Sequence, residues 1–559
     1  MSNLTLSLVS AVAKQIKADY VRNTRRVTAT QEKFLLSLLR SAQHTEFGQR
    51  YGLTDMTSVA QFRKQVPVLA YRDYEPYTNR IANGEQNILT PEPVIYLNIT
   101  SGSTGKQKLI PVTKRSRQIR SWLNLASIGF LIEALQRRKL PIGKMLAPVS
   151  SRIIGRTEGG IDYGFVSAGD LRLNRRLYRQ ISAHPLEVLQ VSDSVARHYL
   201  CLLFALRDRQ TRGIGATFPI LGLQLGNYLE TYAEELIHDL KTGEIADWLK
   251  LEPELRAKLE HMWSADPQRA IELRQILNRE GRLTPGTAWN LSAVVTALGG
   301  TSDFYLERFP NYFGDTPVFG SLYASSETIF GTCYEFNNEG AILATNSAFF
   351  EFIPSDQWQA EQPKTLLPHE LTPGSLYRVL VTNYSGLYRY DIKDVVEVVG
   401  FYHQTPIIVF RHRQGGVISS TTEKTSEFHA IQVMQRLQQD FGLRLENFCV
   451  TLSEHEIPPH YLVNIELAAG EVLSDPRAFI RQFDHYLQEI QPSYAVKRPD
   501  PIPAPRLRIL APGSFALLRQ RSLQAGVPEA QFKFSHISDN RQLLAALPIE
   551  REVSIEEHL

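Results

Sequence analysis

Apolar residues over the first seventy positions recur at helical spacing, with Phe34, Leu35, Leu38 and Leu39 on one face and Pro67 as a stop. From Val94 to about Phe410 the pattern changes. Short extended runs there alternate with helical ones: Val94 to Ile99 predicts a strand, and Lys114 to about Arg137, Ser194 to Arg207 and Leu223 to Leu240 predict helices. Such alternation is that of an α/β domain. The charged, amphipathic stretch Glu244 to Arg282 predicts a helical insertion with a solvated face. Val379 to Thr382, Val395 to Val399 and Ile407 to Phe410 are β-branched runs parted by turn residues. The polar run Arg411 to Gly416 suits a linker. Beyond it the pattern predicts helices near Ser426 to Phe441 and Asp475 to Glu489, and strands near Phe448 to Leu452, Tyr461 to Leu467 and Arg506 to Leu510. Two α/β domains are therefore expected, a large one over 1–412 and a smaller, mobile one over 413–559, with a site that rearranges at their junction.

A length of 559 residues agrees with two cores rather than one. The net charge of +3, with no basic run interleaved with aromatics, argues against nucleic acid as a partner. Cys201, Cys333 and Cys449 are too few and too scattered for a disulfide framework or a zinc site, and fit a reducing, cytoplasmic setting. The first basic side chain, Lys14, follows the N-terminal apolar run, whereas a signal peptide places its charge first. Trp122 to Leu135, the longest apolar stretch, is broken by Asn124, Ser127, Gly129 and Glu133, too polar and short for a transmembrane segment. The first helix is expected to pack on the body, the alternative being a membrane surface. A monomer is expected.

Three segments carry chemistry. In Thr100-Ser-Gly-Ser-Thr-Gly-Lys-Gln-Lys108, the hydroxyls of Ser101, Ser103 and Thr104, the turns allowed by Gly102 and Gly105, and the charges of Lys106 and Lys108 form a polyphosphate cradle. A strand before it and a helix after it would be the strand–loop–helix setting of anion sites, although a solvated turn uses the same residue types. Leu322-Tyr-Ala-Ser-Ser-Glu-Thr328 predicts a strand end at the carboxyl edge of a sheet, placing Ser325, Ser326 and Glu327 on a ligand-facing loop. Glu327 could hold magnesium, which takes one or two carboxylates beside phosphate oxygens. In Thr382 to Asp394 a carboxylate enters a strand, where Asp394 could accept hydrogen bonds from both ribose hydroxyls. Singly, Glu327 and Asp394 read as surface carboxylates or caps; with the phosphate loop they supply an anchor for each part of ATP. Glu454-His-Glu456 with His460 lacks the helical spacing of a metal pair and is read as structural.

The order of phosphate loop, Tyr-Ala-Ser-Ser-Glu327 and Gly-Leu-Tyr-Arg-Tyr390 followed by Asp394-Val-Val resembles the auxin-responsive Gretchen Hagen family of acyl-acid amido synthetases, a branch of the adenylate-forming enzymes. The resemblance extends over nearly the whole chain, from Val66-Pro-Val-Leu-Ala-Tyr-Arg-Asp and Arg80-Ile-Ala-Asn-Gly-Glu through Asn346 to Phe352, then Pro458 to Leu462, Ala511 to Phe515 and Gln531 to Lys533.

It implies a large adenylate-forming domain of helix-flanked β-sheets, a smaller C-terminal α/β domain, and two-step chemistry. ATP and a carboxylic acid give an acyl-adenylate and pyrophosphate; an amine, usually an amino acid, then gives an amide and AMP. The family's roles would fall on Thr100 to Lys106 and Lys108 for phosphates and on Glu327 for magnesium. Tyr323, Ser325, Ser326, Asp394 and Arg413 would hold the nucleotide, with Phe349 against adenine, and Arg120 would sit in the acid pocket unless Arg115, Arg117 and Arg120 are a solvated face. Lys424 and Lys533 would reach the reacting phosphate in different domain orientations. The chain departs from the family in having Lys393 where glycine usually precedes the ribose aspartate, Glu423 in place of aspartate, and Phe532-Lys-Phe-Ser535 in place of a proline-containing version. Transfer to a thiol such as coenzyme A, or a catalytically lapsed nucleotide-binding module, are the alternatives.

Overall fold

The computed structural model describes residues 2–100, 108–173, 175–300, 302–413, 416–421, 423, 425–499, 502–524 and 532–555. The chain divides into two units, Met1–Phe410 and Arg411–Leu559, both of mixed α/β construction.

Among the described residues, three sheets build the first unit. One is wholly parallel, in the order Lys144–Leu146, Thr211–Gly215, Ala293–Thr296, Val318–Gly320, with helices in the crossovers as parallel strands require. A second has the order Lys108–Thr113, Val94–Thr100, Asp162–Gly164, Ile153–Arg156. The third has seven strands, from Phe349–Pro354 through Leu376–Thr382, Tyr390–Tyr402, Thr405–Arg413, Ala341–Leu343 and Ile329–Cys333 to Leu322–Ala324. The three β-branched runs near its centre extend further than their apolar residues alone indicate.

The chain passes from the parallel sheet to the seven-stranded one at Ser321. Gly320 permits the crossing, because a Cβ there would lie 2.5 Å from the Cys333 sulfur. The strand end expected before Ser325 is thus two short strands, and Ser325 to Thr328 form the turn of an antiparallel hairpin, with Ala324 opposite Ile329. The stretch Leu223 to Leu240 is also two elements, Pro219–Thr231 and Ala233–Thr242, parted at Tyr232, whose ring stacks on Trp248 at 5.3 Å.

The helix Ser2–Asn23 packs on the helix Lys114–Arg137. Their approach is close enough that a Cβ on Gly129 would fall 2.4 Å from the Ala13 carbonyl oxygen, and Lys17 pairs with Glu133. The N-terminal helix is therefore held on the protein body. Among the described residues, no helix is long and apolar enough to cross a membrane.

In the second unit the strands run Leu445–Leu452, Tyr461–Leu467, Arg506–Leu510, Ile549–Ser554, with the middle pair parallel. The helices Glu427–Phe441 and Pro476–Ile490 pack together. Residues Arg411 to Arg413, expected in a linker, complete the strand Thr405–Arg413.

Deep in the first unit lies an ion pair. Arg389, buried and at φ 46°, donates from Nε and Nη2 to the two carboxylate oxygens of Glu351, both at 3.0 Å. Its Nη1 donates to the carbonyls of Arg63 at 2.9 Å and Val66 at 2.7 Å. Beside it, Leu69 and Tyr390 form a parallel bridge, with Leu69 N–H on the Arg389 carbonyl at 3.1 Å and Asp391 N–H on the Leu69 carbonyl at 2.8 Å. Removing one charge from such a pair strands the other in the interior, so Glu351→Gln should destabilise the protein by about 3–5 kcal/mol. Chemical denaturation checks this; a loss below about 1 kcal/mol would contradict the assigned role.

Candidate active site

The described end of the phosphate loop departs from the expected setting. Thr100 and Lys108 face each other across an antiparallel pair, so the strands on either side of the loop are hydrogen-bonded partners. A six-residue strand, Lys108–Thr113, separates it from the helix Lys114–Arg137, whose N-terminus is satisfied by its own cap: Thr113 Oγ1 accepts the Ser116 N–H at 3.1 Å. Leu109, Ile110, Pro111 and Val112 form a short apolar run paired as a strand, and the dipole of the helix does not open at the loop. Ser101, Gly102, Ser103, Thr104, Gly105 and Lys106 lie outside the described residues, as does Lys424.

Lys108 Nζ donates to the Tyr390 hydroxyl at 3.4 Å, and that hydroxyl donates to Glu327 Oε1 at 3.5 Å. The three side chains form a chain of contacts from the hairpin to the Ser325–Thr328 turn. Glu327 is 8% exposed. Its turn is fixed by Ser325 Oγ, which accepts the N–H groups of Glu327 and Thr328 at 3.2 and 3.3 Å. Two amides clamp it from outside: Asn98 Nδ2 donates to the Ser326 carbonyl at 3.1 Å and Asn383 Nδ2 to that of Glu327 at 3.0 Å.

Tyr323, at the start of the same hairpin, donates its hydroxyl to Asp394 Oδ2 at 3.0 Å and lays one ring face on Phe330, 4.5 Å between centroids. Asp394 is 4% exposed, within the strand Tyr390–Tyr402. Just before it, Lys393 adopts φ 65°, the left-handed conformation that glycine takes freely and other residues at a cost of about 1–2 kcal/mol. The lysine therefore keeps the backbone a glycine would have, and Asp394 stays in register. Arg413 ends its strand and is exposed.

Phe349 requires a correction. Its ring is 1% exposed, sits edge-on to Phe62 at 6.1 Å, and belongs to the core, so it offers adenine no face. The three arginines of the following helix form no solvated patch. Arg115 lies over the Tyr384 ring at 3.8 Å, Arg117 donates to the Gly169 carbonyl, and Arg120 donates from Nε to Asp170 Oδ2 at 2.9 Å and from Nη1 to the Ser325 carbonyl at 3.3 Å. Arg117, Arg120, Asp170, Asn98, Ser326 and Glu327 line one cavity, with Tyr96, Ile119, Leu123 and Val166 as its apolar wall.

Sequence reasoning missed the roles of Asn98, Asn383, Tyr390 and Asp170. The signal for Asn98 was present, since it is the polar residue inside an apolar strand run. Asp170 carried none, because its partner is fifty positions away.

In the second unit, Lys533 is exposed between Phe532 and Phe534, which are buried edge-on to each other at 4.7 Å. The His536 N–H donates to Glu427 at 2.7 Å, tying the Lys533 segment to the segment that begins at Glu423. Glu423 is 2% exposed and accepts from the Ser420 N–H at 2.5 Å, the Thr421 N–H at 3.0 Å and the Tyr461 hydroxyl at 2.6 Å. Burial raises its carboxyl, but these donors outweigh burial and hold it below the ordinary glutamate range. His460 accepts from Arg506 at 3.2 Å and bonds the Ala504 carbonyl at 2.7 Å, which occupies both ring nitrogens structurally. Among the described residues no acidic, histidine or cysteine cluster could itself hold a metal.

Comparison with known proteins gives a consistent picture. Residues 17–318 match the GH3 family N-terminal domain, 341–413 the GH3 family central domain, and 428–542 the GH3 family C-terminal domain. The chain is 27% identical over 542 residues to the jasmonoyl–L-amino acid synthetase JAR4 of Nicotiana attenuata, covering 91% of each protein. It is 26% identical over 544 residues to the indole-3-acetic acid-amido synthetase GH3.3 of Arabidopsis thaliana, covering 91% of this chain and 89% of that one. Among solved structures, the GH3.15 acyl acid amido synthetase matches with a TM-score of 0.83 at 24% identity over 96% of both chains. A 2-hydroxyisobutyryl-CoA ligase in its postadenylation state matches with a TM-score of 0.57 at 12% identity, over 93% of this chain and 91% of that one, a likeness of fold.

Glu423 yields a signed pH prediction. A carboxyl held lower in the folded than in the unfolded state contributes stability that is present above the unfolded value and lost as pH falls through the folded one. Glu423→Gln should cost about 1–3 kcal/mol at pH 7, and the deficit should shrink as pH falls below the ordinary glutamate range. Thermal denaturation against pH checks this; an equal deficit at pH 7 and pH 3 would contradict it.

Proposed function

The chain belongs to the GH3 family, and on that premise we propose that it is an ATP-dependent ligase joining a carboxylic acid to an amine, specifically an amino acid, with release of AMP and pyrophosphate. The amino acid as acceptor follows the amido synthetases of similar sequence, whereas the coenzyme A ligase resembles this chain in fold only. The observation that carries the reading is the line of contacts Lys108, Tyr390, Glu327 beside the pair Tyr323, Asp394. A cation, a buried carboxylate and a second, ribose-competent carboxylate thus stand around one hairpin. A lapsed module has no need to retain all of them.

ATP is a substrate in this scheme. The acid's carboxylate oxygen attacks the α-phosphorus and pyrophosphate leaves; the amine nitrogen then attacks the acyl carbon, loses a proton, and AMP departs with the carboxylate oxygen. Lys108 and the hairpin loop are assigned to the phosphates, where positive charge stabilises the oxygens that gain charge during transfer. Asp394 accepts from the ribose hydroxyls, with Tyr323 orienting it through their hydrogen bond. The ring of Tyr323, rather than that of Phe349, is assigned to adenine. Ser325 and Ser326 frame the nucleotide from the turn, and Arg413 is assigned to it from its strand end. Arg120 serves the acid cavity.

Glu327 fits magnesium: a single buried carboxylate with room for phosphate and water oxygens is that ion's usual protein contribution. When bound, the ion would neutralise phosphate charge. Lys424 and Lys533, both from the second unit, are assigned to the α-phosphate in successive steps. Phe532 and Phe534 anchor the segment that carries the second. Three buried free cysteines are in keeping with a cytoplasmic setting, and a monomer is proposed.

Acid-dependent exchange of labelled pyrophosphate into ATP tests the reading. Exchange is expected with the parent protein, and Glu327→Ala should lower it by on the order of 10²-fold or more at limiting magnesium. Release of ADP and orthophosphate, or undiminished exchange in that variant, would contradict it.

A further inference from the structure

The helix Ala233–Thr242 ends at Gly243, whose φ of 83° turns the chain back so that the Ala246 N–H reaches Asp239 in the last turns of the helix. The returning loop and the helix enclose a cavity of about 980 Å³, the size of a small-molecule site. Sequence alone reads the charges from Glu244 onward as a solvated face; the cavity changes that. Six carboxylates line it against one guanidinium, that of Arg274, and the exposed His238 is the other basic side chain of the lining. Arg274 donates to Glu234 at 2.6 Å, and Glu260 pairs with Arg256 at 3.3 Å. Glu235, Asp239, Glu244 and Asp247 are left, and among the described residues none of the four has an ion-pair partner. Asp239 differs from the other three in being buried, 4% exposed. Its bonds from the Tyr199 hydroxyl at 2.8 Å and the Ala246 N–H at 2.9 Å both fall on Oδ2. Among the described residues Oδ1 accepts none, and it is not sealed from solvent, so it opens to the cavity. Burial first, and then the charge of Glu244, raises the Asp239 carboxyl above the ordinary aspartate range against the opposing effect of Tyr199, Ala246 and His238. Fixing the loop requires only an acceptor at Oδ2, which an amide would supply. The charge, and the open oxygen, are surplus to that role.

On the same wall Trp248 is 46% exposed, stacks on Tyr232 at 5.3 Å and meets Tyr199 edge-on at 5.3 Å, which holds an indole in place beside the carboxylates. Indole rings attract cations most strongly among the aromatic side chains. The end of the helix adds the negative pole of its dipole. Among the described residues no three acidic, histidine or cysteine side chains converge closely enough for a metal ion, so the negative charge is spread rather than focused. We propose that this cavity is a binding site for an aliphatic oligoamine, a methylene chain carrying two or more ammonium groups, with one ammonium on Asp239 Oδ1, the others toward Glu235, Glu244 and Asp247, and the chain along Trp248. Spread charges are met by spread charges, and the methylenes cover the ring. The inference is independent of the ligase reading, since no residue of this cavity lines the acid cavity or has a part in the chemistry above.

Isothermal titration of the whole chain with spermine, spermidine, putrescine and butylamine tests it. Affinity should fall along that series as the number of ammonium groups falls, and should weaken as salt is raised. Asp239→Asn keeps an acceptor for Tyr199 and Ala246, so the variant should melt as the parent does, yet it should bind spermidine about 10-fold or more weakly. Trp248→Ala should weaken spermidine by about 3-fold or more. The double variant Glu235→Gln with Glu244→Gln, at two exposed positions, should weaken it by about 3-fold and supplies the comparison if Asp239→Asn fails to fold. Unchanged spermidine affinity in Asp239→Asn would mean that the amine binds elsewhere, the acceptor site of the ligase included, and overturns the inference. So does a parent protein that binds none of the oligoamines, one that binds butylamine or magnesium as tightly as spermine, or one that takes up a trilysine peptide and leaves the oligoamines unbound. Each of these results leaves the ligase reading as it stands.

Discussion

The buried pair between Arg389 and Glu351 is the constraint on which the site depends. By itself a buried ion pair stabilises little, since desolvation consumes most of its Coulombic gain. Its effect here is on position. Arg389 binds Glu351 on one strand and the carbonyls of Arg63 and Val66 on the N-terminal segment, which brings three distant parts of the chain to one point. The left-handed backbone at Arg389 is held there by those bonds rather than by local preference. Tyr390 follows at once and is set against Lys108 and Glu327; four residues further comes Asp394. A small rotation at Arg389 would be transmitted to every one of them.

The same economy governs the carboxylates. Glu327, Asp394 and Glu423 are each largely hidden from water, where an unpartnered charge would be costly. Each meets a tyrosine hydroxyl: Tyr390, Tyr323 and Tyr461. A phenol donates a hydrogen bond without cancelling the negative charge, as an arginine would. The carboxylates of Glu327 and Asp394 therefore keep their negative charge. Where an arginine does pair, as with Asp170 and Glu351, the carboxylate fixes geometry instead.

Much of this was legible in sequence where chemistry sits in contiguous residues. The Tyr323 to Glu327 turn, the carboxylate at Asp394 and the β-branched strands could be read because period and residue type agree over short windows. The fold class was readable for the same reason. The hairpin at the phosphate loop was not, because the pairing of Lys108–Thr113 with Val94–Thr100 is a contact across the loop that the residue types on either side do not announce. Phe349 was assigned to adenine because the resemblance places an aromatic there; its burial against Phe62, most of the domain away in sequence, has no local signal. Asn98, Asn383 and Asp170 act on partners 228, 56 and 50 positions away, distances at which no local pattern survives.

The central claim is that an oxygen of the acid becomes bonded to the α-phosphorus before the amide forms. It is tested most directly with an acid that supports turnover, labelled with ¹⁸O in both carboxylate oxygens, and mass analysis of the released nucleotide. The account predicts one labelled oxygen in AMP and one retained in the amide. Label in orthophosphate with release of ADP, or AMP free of label, would contradict it.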